Sequence, residues 1–483
     1  MKRTCSLTLL FALILSTFSC GDAASATGTT SLDETTETPV ETSLFDTLPD
    51  EDFGGAEFRM LVPTELDYEF AEEQTGDIVD DAEYARDRLI EERYNVNLAY
   101  TTEPGNWAGK DTFNGLIKQS VMAGDEAFDL INGMVAVANL IVMDGVFTNL
   151  LTAEGLDFSA PWWAANMDTS LTVSGKLFGI CGAGQLSMYK SAYIMFYNQK
   201  LLDDYKLADP IDIVLDGKWT LDTFLSMTKD ITKDLDSDGS LTKEDQYGYL
   251  FDDVTQRGYQ TSMELKVIDR GADGKLKFVG LSERLSNAVD IYHSHISDKT
   301  QVFHNGGTDA ATEERIKMFV SDQALFAGET IGRIERYRDM ESDFGMIPLP
   351  KYDETQTEYH TQIGTGSGMY FIPKTAKNVD MTVSVMNAFN CISMETVVPT
   401  YYESALKVKY IRDERNKAVI DLINSSMSMD VTFCYASTIG GNINQIFASS
   451  TIKDEPIAST IASNESVILS GIETMESTFA AIE

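Results

Sequence analysis

Positive charge is scarce in this sequence. Lysine and arginine together number 37 against 76 aspartates and glutamates, a formal net charge of −39. A chain this acidic is repelled by nucleic-acid phosphates and by anionic lipid headgroups, so neither is an expected partner. Cysteine is scarce as well. After Cys20 only Cys181, Cys391 and Cys434 remain. An odd number leaves at least one free thiol and excludes a disulfide framework. No Cys-x-x-Cys pair or Cys/His cluster offers a zinc site. His293 and His295 flank one serine and read as surface residues. Beyond the N-terminus no uninterrupted apolar run approaches the ~18 residues that span a bilayer. Catalytic signatures are also missing. GTGSG at 364–368 is neither a nucleophile elbow nor a dinucleotide fingerprint, and there is no HExxH and no P-loop. Carboxylates abound, but spacing singles out no catalytic pair. Binding, not catalysis, is the expectation.

The N-terminus does carry a signal. Lys2 and Arg3 precede an apolar run from Leu7 to Phe18, followed by Ser19-Cys20-Gly21. A charged start, a short apolar stretch and a small residue before cysteine read as a signal peptide over 1–19 whose end resembles a bacterial lipobox, the alternative being plain secretion with cleavage nearby. Cys20 is then the lipidated first residue of the mature chain. Residues 23–52, rich in Thr, Ser and acids, lack core formers and read as a disordered tether. The chain is thus expected on the extracellular face of the bacterial cell membrane, held there by lipid.

The body is longer than one ordinary core, so two lobes are expected. EFRMLVP reads as a strand, DIVDDAEYARDRLIEERY as a helix with Val79, Ala82, Leu89, Ile90 and Tyr94 near one face, and NVNLAYTT as a strand. Alternation of this kind predicts an α/β fold with a largely parallel sheet. DFGMIPLP and SGMYFIPK predict strands returning late, before a mostly helical C-terminus.

One loop is specific. DLDSDGSLTKED, residues 234–245, places Asp234, Asp236 and Asp238 at positions 1, 3 and 5 of a twelve-residue calcium loop. Gly239 supplies the turn, Ser240 a carbonyl, Leu241 a plug into the core, and Asp245 the last ligand. The loop occurs once and is followed by a strand-like run, so it reads as a structural staple for calcium, not a sensor.

Aromatic side chains cluster in predicted loops: Trp107, Trp162-Trp163, Tyr189 and Tyr401-Tyr402. Rings in loops can stack on the apolar faces of sugars, or they can pack in the core. Trp219, ahead of a helix that Thr220 caps, reads as structural.

Several runs together resemble one family, the extracellular solute-binding lipoproteins of bacterial ABC importers (family 1, sugar-binding type, Firmicutes-like). They are GKLFGICGAGQLSMYKSAYIMFYNQKLL, DGKWTLDTFLSMTKDITKDLDSDGSLTKEDQYGYLF, FVSDQALFAGET with FGMIPLPKYD, and VPTYYESALKVKYIRDERN. The sequence departs from the family at Gln199, where lysine is usual, and at Thr17 in the lipobox. The resemblance implies a periplasmic-binding-protein-like fold of type II: two α/β lobes joined by hinge strands. It divides the body into 53–190 plus 331–372 as lobe 1 and 191–330 plus 373–483 as lobe 2. Crossings are expected near 189–195, 324–330 and 371–375. The cleft is expected to be lined by Trp162, Trp163, Tyr189, Glu329, Tyr401 and Tyr402. The implied function is capture of a carbohydrate, a neutral or weakly polar oligosaccharide, by a monomer that delivers it to the permease's transmembrane subunits. Alternatives are a binding lipoprotein for peptides or another solute, and a secreted calcium-dependent glycan-active enzyme.

Overall fold

The computed structural model describes residues 43–338, 340–406 and 414–482. The signal peptide and Cys20 lie outside the described residues. No helix among the described residues is long and apolar enough to cross a membrane.

Two sheets organise the body. The first has the order β12-β3-β1-β2, with β1 Ala56–Pro63, β2 Val96–Glu103, β3 Leu130–Met134 and β12 Gly368–Phe371. Strand β1 runs parallel to β2 and β3, and β12 closes the edge antiparallel to β3. The second sheet has the order β10-β4-β9-β5-β8. Its strands are β4 Tyr193–Asn198, β5 Tyr247–Phe251, β8 Val302–His304, β9 Ala324–Thr330 and β10 Phe344–Pro348. Strands β5, β8 and β9 are parallel, while β4 is antiparallel to both β9 and β10. A hairpin of β6 Ile268–Arg270 and β7 Leu276–Phe278, and a short pair of β11 Thr361–Gln362 with β13 Met427–Ser428, complete the strands. Every residue of β4, β5 and β10 is buried, as expected of apolar runs covered on both faces.

The first predicted helix spans Ile78–Tyr94. The Asp77 carboxylate accepts from the Val79 amide at 2.8 Å to start it, and Asn95 ends it in a left-handed conformation at φ 48°. Its buried stripe differs from the expected one. Leu89 is exposed, and the stripe is Glu83, Arg86, Asp87, Ile90 and Tyr94. Arg86 and Asp87 are tolerated there because they are paired. Arg86 donates to Asp87 at 2.8 Å, to the Glu69 carbonyl at 2.7 Å and to Ser393 at 3.2 Å, and Tyr100 donates to Asp87 at 2.6 Å.

The chain path locates the links between sheets. Segment 186–192 leads from the first sheet to β4, and Gly364 N–H donates to the Ser191 carbonyl where the chain returns toward β12. Strand β9, expected to recross, stays in the second sheet and is followed there by β10. Strand β10, which the sequence reading places with the first lobe, pairs with β4. The helix Val379–Glu395, placed with the second lobe, packs on Ile78–Tyr94. The last long helix, Ile457–Ala481, packs on the short helix Ala436–Ile439.

Candidate binding cleft

A cavity of about 800 Å³ opens where segments from both sheets and the C-terminal region meet. Its first wall follows the C-terminal end of β3. Val135, Ala136, Asn139 and Leu140 line it, with Trp107 from the loop after β2 at its side. This wall is pinned by backbone bonds from Val135 N–H to the Ser367 carbonyl and from Ala136 N–H to the Thr365 carbonyl, both 3.0 Å. Asn139 donates to the Val135 carbonyl at 3.0 Å, while its own side-chain oxygen is buried without a partner. Trp107 is 59% exposed, with the Lys110 ammonium 5.4 Å from its ring.

The second wall follows the C-terminal end of β5 and contributes Arg257. The turn before it is rigid. Asp252 accepts from the amides of Val254 at 2.9 Å and Thr255 at 2.7 Å. Gln256 reaches into the core, donating to the Tyr249 hydroxyl at 3.2 Å and accepting from Tyr292. Among the described residues the Arg257 side chain has no hydrogen-bond or ion-pair partner, and its Nε is buried.

The third wall is Phe433–Gln445, backed by Asn464 and Val467 of the last helix. Gly440, Gly441 and Asn442 all have positive φ, at 80°, 64° and 47°. A Cβ at Gly441 would stand 2.7 Å from the Ile468 side chain, so the turn needs glycine both for its backbone and for its close approach. Ligand sites in open α/β sheets lie at the carboxyl ends of the strands, as here for β3 and β5. The cavity is lined by amides, hydroxyls and a few apolar groups, with Arg257 its one ionisable side chain apart from the Cys434 thiol and no carboxylate. Burial pushes that thiol well above its ordinary range.

The expected site residues lie elsewhere. Trp162 and Trp163 are buried, and Trp163 donates to the Asp157 carbonyl at 3.1 Å beside Phe158. Tyr401 and Tyr402, expected in a loop, form part of a helix, Val397–Ala405; Pro399 sits in its first turn, where no amide donor is needed. Their rings are 5.6 Å apart, Tyr402 donates to Asn424 at 2.7 Å, and Lys190 stands 5.8 Å from the Tyr401 ring, next to buried Tyr189. Glu329, next to last in β9, sits inside an ion cluster, 3.3 Å from Arg333 and 3.8 Å from Arg315. Burial, with Asp252 adding and the two arginines opposing, raises its carboxyl to about 7. None of these six lines the 800 Å³ cavity. Of the aromatic residues singled out in the sequence, Trp107 does.

The acidic loop folds tightly. Asp234 accepts from the amides of Ser237 at 2.7 Å and Gly239 at 2.9 Å, and buried Asp245 accepts from Leu235 at 2.9 Å and Thr242 at 2.7 Å. Carboxylate oxygens of Asp234, Asp236 and Asp245 come within 4.8 Å of one another, a hard-oxygen set that fits calcium. Asp238 stands outside that group of carboxylates; its carboxylate accepts from the Ser240 amide at 2.7 Å. Leu241 is exposed instead of plugging the core, because strand β5 follows the loop where a second helix would have covered it. His295 is likewise buried rather than on the surface, which lowers its imidazole to about 4.

Solved structures share this architecture. A galacto-N-biose/lacto-N-biose I-binding protein of an ABC transporter from Bifidobacterium longum, in complex with lacto-N-biose, superposes with a TM-score of 0.57. It is 12% identical over 88% of this chain and 98% of that one. A cyclo/maltodextrin-binding protein complexed with maltotetraose gives 0.55 at 14% identity, over 87% of this chain and 99% of that one. An ABC substrate-binding protein from Listeria monocytogenes in complex with cycloalternan gives 0.51 at 13% identity, over the same two shares. The fold is periplasmic-binding-protein-like, type II. These neighbours are binding proteins, not enzymes. No protein-family model matches the sequence, and no curated protein sequence resembles it significantly.

Proposed function

We propose that this chain is the extracellular solute-binding component of an ABC importer and captures a carbohydrate in the 800 Å³ cavity. The observation that carries this reading is the composition of the walls. Asn139, Asn442, Asn444, Gln445 and Asn464 offer amides, Ser437 and Thr438 offer hydroxyls, and Trp107 offers an exposed ring face at the side. Sugars need that mixture of hydrogen-bonding groups and an aromatic platform. Pockets of roughly 300–1,000 Å³ enclose drug-sized ligands, so this one has room for an oligosaccharide. Glycoside hydrolysis ordinarily needs two flanking carboxylates, which these walls do not offer, so a binding role is favoured over a glycan-active enzyme.

A ligand bridging Trp107, Arg257 and the 433–445 wall favours the closed arrangement of the lobes by its contacts with both. The closed monomer then delivers its cargo to the permease's transmembrane subunits. In this reading Cys20 carries the lipid anchor and calcium held at Asp234, Asp236 and Asp245 stiffens the second lobe; the tether ends before Ser43, ten residues earlier than the sequence suggests, because Leu44–Thr47 form a short helix and Ser43 and Leu44 bond the Glu395 carboxylate. A thermal-shift screen of the protein against mono- and oligosaccharides, amino acids and peptides tests the proposal. A saturating sugar at 100 times its Kd adds about 2.7 kcal/mol of stability. A shift with peptides and with no glycan overturns it.

A further inference from the structure

We infer that the carbohydrate bound in this cavity carries a carboxylate, as uronic and sialic acids do, and that Arg257 receives it. The inference rests on the carbohydrate reading of the site. In a chain of net charge −39, the cavity walls present no aspartate or glutamate and one cation, Arg257. Elsewhere in the molecule buried guanidinium groups are matched. Arg86 has Asp87 at 2.8 Å, and Arg315 has Asp252 at 3.4 Å. Arg257 has no such match among the described residues, and its Nε is buried beside the cavity.

An unmatched cation facing a closing cleft has a chemical consequence. Enclosing a neutral sugar takes water from the guanidinium and returns only neutral acceptors. A carboxylate returns two parallel charge-assisted hydrogen bonds in the planar geometry that arginine prefers. The backbone that carries the side chain is also held in advance. Asp252 caps the turn and Gln256 anchors it in the tyrosine network, so the ligand has only the Arg257 side chain to order and not the turn beneath it. Across the cavity, the amides of Asn444, Gln445 and Asn464 remain for the ring hydroxyls. The acid group and the hydroxyls of one ligand thus have separate receptors.

Calorimetry with matched pairs tests this: 3′-sialyllactose against lactose, and trigalacturonic acid against its methyl ester. The wild-type protein is expected to bind the acidic member of at least one pair about tenfold or more tightly than the neutral one. Arg257→Gln should shrink that ratio to about threefold or less, and Arg257→Lys should retain part of it, since the charge persists without the planar fork. Because Arg257 holds no partner, neither variant should lower Tm appreciably. Equal or tighter binding of the neutral members overturns the inference and leaves the carbohydrate reading standing, as does an acid preference that survives in Arg257→Gln. Binding of a peptide or amino acid, with no member of either pair bound, overturns both.

Discussion

Gln256 and Arg257 are neighbours in the chain that meet opposite environments. The Gln256 amide donates to the Tyr249 hydroxyl at 3.2 Å inside the core, while the Arg257 guanidinium lines the cavity without a partner. The buried residue positions the one at the wall. Gln256→Leu should therefore destabilise the protein by about 1–3 kcal/mol, because the hydroxyls of Tyr249 and Tyr292 lose a buried partner. It should also weaken ligand binding. Urea unfolding and calorimetry on the same variant check both, and unchanged stability would show that the network does not anchor the turn.

Two tryptophans should behave in opposite ways. Trp107 is largely exposed beside the cavity, so Trp107→Ala is expected to cost about tenfold in sugar affinity, on the order of 1.4 kcal/mol, with Tm unchanged. Trp163 is buried against Phe158, so Trp163→Ala is expected to cost about 3–5 kcal/mol of stability. A Trp163→Ala protein with its full stability and a weakened sugar affinity would return Trp163 to the site.

The acidic loop is a stability element in our reading. Chelation of calcium, or Asp234→Ala with Asp236→Ala, should lower Tm while ligand affinity stays within a few-fold. The motivation is the convergence of three carboxylates away from the cavity walls. Differential scanning calorimetry with and without a chelator measures it. Lost binding at unchanged Tm would place the ion with the ligand.

Glu83 should make stability depend on pH. Burial raises its carboxyl to about 9 in the folded chain, with Arg86 opposing and Glu69 adding, against 4.5 as the ordinary value. Neither of its oxygens has a hydrogen-bond partner. The unfolded chain therefore gives up this proton first. The stabilising contribution is complete below about pH 4.5 and drains as pH rises toward 9, at up to about 1.4 kcal/mol per pH unit. Glu329 adds to the same trend only up to about 7. Glu83→Gln removes one such proton, so its unfolding free energy, followed from about pH 5 to about pH 8.5, should fall less steeply than the parent's. Parallel curves would mean that Glu83 ionises as an ordinary glutamate.

How far the sequence could be read follows from what each signal depends on. Strands β1, β10 and β12 were legible because an apolar run bounded by polar residues and turns is a local property. The extent of helix Ile78–Tyr94 was legible for the same reason, through Asp77 and the helical spacing. Its buried stripe was not, since Arg86 and Asp87 can be buried only by partners such as Tyr100 and Ser393 that are set by the tertiary fold. A ring in a loop looks the same in sequence whether it faces solvent, like Trp107, or packs inward, like Trp163. Arg257 carried no signal of its own, because its meaning lies in the absence of a neighbour. The nearest signal for the third wall was the Gly440-Gly441 pair ahead of an asparagine-rich run, a turn that only glycine can make against Ile468.

The order in which the walls occur along the chain has a consequence for synthesis. Trp107 and Val135 leave the ribosome early and Arg257 midway, but Asn464 and Val467 belong to the last helix. Both sheets are complete once β12 has emerged, well before the receptor surface exists. Any C-terminal truncation that removes Ile457–Ala481 strips the cavity of Asn464 and Val467 while leaving both sheets encoded.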